Sequence, residues 1–79
     1  MTVSIIIRGV KYEITRDDIL RVATSVHPAS IRTYYVEVQG KRFPPKQLIR
    51  LATGTPWPFN SANARSALTR LGFHVEAVG

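Results

Sequence analysis

The chain has 79 residues, a mass of 8.8 kDa, a net charge of +6 and a pI near 10.6, which leaves room for one domain with one small core. It has no cysteine, and His27 and His74 lack a ligand-spaced partner, so neither a disulfide scaffold nor a metal centre is expected. No apolar run approaches the length of a membrane span. The opening MTVSIIIRG has neither the basic region nor the long apolar region of a secretion signal, so a cytoplasmic protein is expected.

In chain order, Val3 to Ile7 is short and β-branched, and Val10-Lys11-Tyr12-Glu13-Ile14 alternates apolar with polar. With Arg8-Gly9 between them, this predicts a β-hairpin over about 3–14, its second strand facing the core with Val10, Tyr12 and Ile14. Thr15 is placed to cap a helix on the backbone of Asp18. Asp17 and Asp18 then lie in the first turn, where the helix dipole favours anions, so capping explains this pair without any acid–base chemistry. Ile19, Leu20, Val22, Ala23 and Val26 form the apolar stripe, and His27-Pro28 ends the helix.

Ile31 to Val38 is rich in β-branched and aromatic residues and reads as a strand. Gln39-Gly40-Lys41 turns the chain, and Arg42-Phe43 returns briefly. Pro44-Pro45 starts a helix with the stripe Leu48, Ile49, Leu51 and Ala52, and Gly54 closes it. Thr55-Pro56-Trp57-Pro58-Phe59 is a loop with two large aromatics, of which Phe59 is expected in the core. Asn60 or Ser61 caps a last helix that buries Ala64, Ala67, Leu68 and Leu71 and ends at Gly72-Phe73 in a Schellman-type turn. A final strand covers 73–78 with His74 and Glu76 outward. The order ββαβ(β)ααβ predicts a small α+β domain comprising the whole of 1–79.

Function is read from the placement of charge. Residues 1–30 carry Arg8, Lys11, Arg16 and Arg21 against Glu13, Asp17 and Asp18. Residues 31–72 carry Arg32, Lys41, Arg42, Lys46, Arg50, Arg65 and Arg70 against Glu37 alone. Such a concentration of positive charge attracts polyanions, nucleic acid first among them, although a merely solubilising surface would show the same excess. Arginine pairs with guanine or phosphate, asparagine and glutamine with adenine, and serine and threonine with phosphate.

The candidate contacts are therefore Lys41, Arg42, Lys46, Gln47 and Arg50 on one side of the aromatic loop. Asn60, Ser61, Asn63, Arg65, Thr69 and Arg70 follow on the other, and Trp57 is a candidate for base stacking. The two helices resemble a helix-turn-helix with too long a loop. No nucleophile elbow, Gly-rich phosphate loop or metal triad is present, and no enzyme activity and no cofactor are expected.

Lys41-Arg42-Phe43-Pro44-Pro45-Lys46, the helix ending Ala52-Thr53-Gly54, and Leu71-Gly72-Phe73-His74-Val75 together resemble the N-terminal head domain of McrA-type, modification-dependent HNH endonucleases. The likeness covers about 31–75. It implies an accessory DNA-binding or DNA-sensing role in bacterial restriction or defence, with Lys41, Arg42, Lys46 and the Asn60-Ser61 helix start as contacts. Phe59-Asn60-Ser61-Ala62 departs from that family's glycine pair, no nuclease domain is present, and the hairpin at 1–14 is not part of the pattern.

Duplex DNA is the expected partner, with RNA as an alternative. A different class of function is a protein-interaction module, a toxin–antitoxin or phage-type regulator. Its basic face or N-terminal strand would then bind a partner protein or a second copy. Ile5, Ile6 and Ile7 cannot all face one core, because neighbours on a strand alternate sides.

Overall fold

Two dipeptides ending in glycine shape the strands of this protein. In the computed structural model, which describes residues 2–55 and 60–78, Arg8-Gly9 and Gln39-Gly40 both have positive φ (51° and 79°, 52° and 79°). That is the backbone of a two-residue type I′ turn, whose twist matches that of the strands it joins, and glycine takes the second position without a Cβ clash. The first turn joins β1 (Thr2–Ile7) to β2 (Val10–Thr15) in a two-stranded antiparallel sheet. The second joins β3 (Tyr34–Val38) to β4 (Lys41–Phe43), so Lys41 opens the return strand, opposite Val38, rather than completing the turn.

Three helices pack between and around these hairpins. Helix α1 (Arg16–Ser25) starts at Thr15, whose Oγ1 accepts the Asp18 N–H at 3.1 Å while Asp18 Oδ2 accepts the Thr15 N–H at 2.9 Å. This reciprocal cap is worth about 1 kcal/mol. Helix α2 (Pro45–Thr53) begins with a proline, which gives up no needed donor at a first helical position, and ends at Gly54 in the left-handed region. Helix α3 (Ser61–Arg70) is capped by Asn60, whose Oδ1 accepts the Ala62 N–H at 2.7 Å. It closes in a Schellman turn: the Phe73 N–H donates to the Leu68 carbonyl and the Gly72 N–H to that of Thr69, both at 3.0 Å. Gly72 sits at φ 93°, and a Cβ there would lie 3.1 Å from Arg16 Nη1.

Strand β5 (Val75–Ala77) then pairs with β3, giving a second sheet of order β4-β3-β5. Helix α2 touches β2 and β3, and α3 touches β1 and β5, so these two helices tie the sheets together. The core lies where they meet: Val3, Ile5, Ile7 and Ile14 from the first sheet, Val36, Val38 and Phe43 from the second, and Ile19, Leu48, Ile49 and Leu68 from the helices. The α+β class and element order are those expected from the sequence.

Four local expectations are corrected. Val10 has the register of a core residue, opposite buried Ile7, but it sits at the turn end of the hairpin and is 48% exposed. Leu51 belongs to the apolar stripe of α2 yet is 44% exposed, at the rim of a groove between α1 and α2. β3 starts at Tyr34 rather than at 31, because a strand extends only as far as a neighbour pairs with it, and Tyr34 is opposite Ala77 near the end of β5. β5 starts at Val75 rather than at 73, since Phe73 is spent in closing α3.

Candidate nucleic-acid interface

The first turns of α2 and α3 border the same hollow. Pro44, Pro45 and Lys46 line one side and Ser61 and Arg65 another, with Arg32 from the approach to β3 and Tyr34 from its first position. The hollow measures about 240 Å³. Ser61 and Arg65 reach it together because they lie four residues apart on α3, and so on one face. The Arg65 guanidinium lies over the Tyr34 ring, 4.0 Å from its centre, a cation–π contact that fixes the long side chain. Its Nε is buried and has no hydrogen-bond partner among the described residues. The first turns of both helices border it, so arginine, lysine and nearby helix N-termini all favour an anion.

The remaining candidates are distributed over other faces. Asn63 and Arg70 lie with Ser66 along a shallow groove beside Ser4, Ile5 and Ile6 of β1. Lys41, Arg50 and Thr69 are exposed. Gln47 is turned to structural use: its Oε1 accepts the Ala29 N–H at 2.8 Å and its Nε2 donates to the His27 carbonyl at 2.9 Å, pinning the segment after α1 to α2. The Asn60 side chain is committed to its cap. Trp57, the stacking candidate, and Phe59, the core candidate, lie outside the described residues, as does the rest of 56–59.

Arg42 belongs to a separate cluster on the outer face of the second sheet, 4.7 Å from the centre of the Tyr35 ring. The Tyr35 hydroxyl donates to Glu76 Oε2 at 2.8 Å, and His74 Nε2 lies 2.8 Å from Glu76 Oε1. The bond from Tyr35, then those from His74, hold the Glu76 carboxyl below the ordinary carboxylate range. Donation to Glu76 in turn raises the Tyr35 hydroxyl. The two tyrosines thus part company: Tyr34 goes to the hollow under Arg65, Tyr35 to the outer sheet face.

A family model matches residues 3–79, nearly the whole chain. The chain belongs to the SCO5918-like family. The region shared with the SCO5918-like family includes the N-terminal hairpin and α1, which the likeness to endonuclease head domains at 31–75 leaves out. No curated protein and no solved structure matches the chain.

In this SCO5918-like chain, Arg32 and Tyr34 are lining residues with side chains able to meet an anion or a base that the sequence did not mark as contacts. A weak signal for Tyr34 existed. Tyr34 is in phase with buried Val36 and Val38, so its side chain follows the inner face of the sheet, while Arg32 lies in the bend that leads into β3.

Proposed function

We propose that this chain is a non-enzymatic module that binds nucleic acid, duplex DNA first, through cations of the 31–72 segment. One observation carries the reading. Arg32, Lys41, Arg42, Lys46, Arg50 and Arg70 are all exposed and Arg65 is partly so, while Glu37 is the single carboxylate of that segment. The likeness to restriction-enzyme head domains supports an accessory role in restriction or defence.

Fluorescence anisotropy with a labelled duplex, a single strand and an RNA of one sequence tests the proposal across a salt series. If about six cations meet phosphates, log K falls with log[salt] at a slope near −5, and the duplex binds most tightly. Preference for the single strand or the RNA would redirect the reading to those ligands. Absence of binding to all three at low salt would overturn it in favour of an acidic protein partner.

A further inference from the structure

We infer that the hollow between the first turns of α2 and α3 is a socket for one phosphate-bearing nucleotide. The inference rests on the nucleic-acid reading and deepens it, from a charged surface to a defined seat. Three features single this place out. Arg32, Lys46 and Arg65 converge on a concavity that is also met by two helix N-termini. Arg65 is held in place by its stack on Tyr34 before any ligand arrives, so little side-chain entropy is lost when its guanidinium takes up an anion.

The third feature is the buried Arg65 Nε, which has no acceptor among the described residues. A buried donor in that state is costly to leave unpaired, and an anion held by the outer N–H groups of the same guanidinium would offset that cost.

Size and wall chemistry narrow the ligand. At about 240 Å³ the hollow is smaller than the roughly 300–1,000 Å³ of sites for drug-sized molecules. It can seat a phosphate and part of its nucleoside. Pro44, Pro45 and the Tyr34 ring give it apolar walls beside the cations, which suit a sugar or base attached to the anion. The same chemistry is offered by a phosphorylated strand end and by a nucleotide turned out of a duplex.

The test is an NMR titration at low salt of the ¹⁵N-labelled chain with a deoxynucleoside 5′-monophosphate, with the parent nucleoside alongside. The expected result is a saturable shift of the Arg65 Nε–H and Ser61 amide signals with the monophosphate and none with the nucleoside. Arg32→Gln, at an exposed position, should weaken that binding about tenfold, the loss of one charge-assisted contact. Arg65→Lys keeps the charge and loses the fork, and should weaken it also.

If Arg65→Lys lowers Tm but leaves the titration unchanged, Arg65 is only a packing residue and the inference fails. If the monophosphate gives no saturable shift while duplex DNA still binds with a steep salt slope, the socket is overturned and the broader DNA reading survives. If the monophosphate binds and the duplex does not, the socket stands and the duplex reading falls. Comparison of 5′-phosphorylated and 5′-hydroxyl oligonucleotides separates the sources: a gain from the phosphate marks a strand end, equal binding an internal nucleotide.

Discussion

The two parts of the chain use charge in opposite ways. In residues 1–30 the two signs nearly balance, and several charged side chains meet partners within the fold. Asp18 caps α1, Lys11 pairs with Glu13 and Arg21 with Asp18, each at 3.7 Å. Arg16 crosses the molecule: Nη1 donates to the Leu71 carbonyl at 3.1 Å, and the guanidinium lies 4.4 Å from the centre of the Phe73 ring. It thereby places a cation at the negative end of α3. Residues 31–72 instead carry seven cations for one carboxylate. A charge built into packing stabilises the fold, whereas an excess of one sign at the surface costs self-repulsion, the excess on which the proposed polyanionic ligand rests. Arg65 belongs to both classes, stacked on Tyr34 yet lining the hollow.

The sharpest contrast within one element should give the largest effect. Ile7 is 2% exposed and its neighbour Ile6 is 64% exposed. Ile7→Ala should cost about 2–5 kcal/mol in chemical denaturation and Ile6→Ala less than about 0.5 kcal/mol. A large loss from Ile6→Ala, made dependent on protein concentration, would show that a second copy covers that face. Next, Arg16→Ala should lower stability by about 1–2 kcal/mol, through the lost hydrogen bond and the lost contact with Phe73. The salt dependence of DNA binding should stay unchanged, and a change in that slope would break the division between structural and surplus cations.

The smallest effect concerns acid. The Glu76 carboxyl is lowered in the folded chain, chiefly by the Tyr35 hydroxyl, so its contribution is present above the unfolded value of about 4.3 and is lost as pH falls through the lower folded value. Thermal melts below pH 4.3 should therefore show slightly more acid destabilisation in the wild type than in Glu76→Gln, and equal acid sensitivity would count against that hydrogen bond.

Features set by neighbours in sequence were legible from the residues alone. Arg8-Gly9, the Thr15–Asp18 cap and the Leu68-to-Phe73 closure each depend on a few adjacent side chains, and each forms where its residues stand. Features that depend on which elements come together were not. Gln47 has the composition of a base-reading residue, but α2 happens to pack where its amide meets the backbone at His27 and Ala29, twenty and eighteen residues away. Val10 and Leu51 have the right periodicity and the wrong depth, because period tells which face a side chain is on and not where the core ends. Of the candidate site, Lys46, Ser61 and Arg65 were marked by type and position, while the convergence of two helix starts on Arg32 and Tyr34 is a tertiary fact.

The most direct test of the central claim removes two charges from each region and compares them. Lys11→Gln with Arg21→Gln, and Arg32→Gln with Lys46→Gln, lower the net charge equally. Binding of each double variant to one duplex, measured across a salt series, should leave the first with the wild-type slope and make the second shallower by about two. Equal losses in both variants would mean that overall charge, and not the 31–72 surface, holds the nucleic acid.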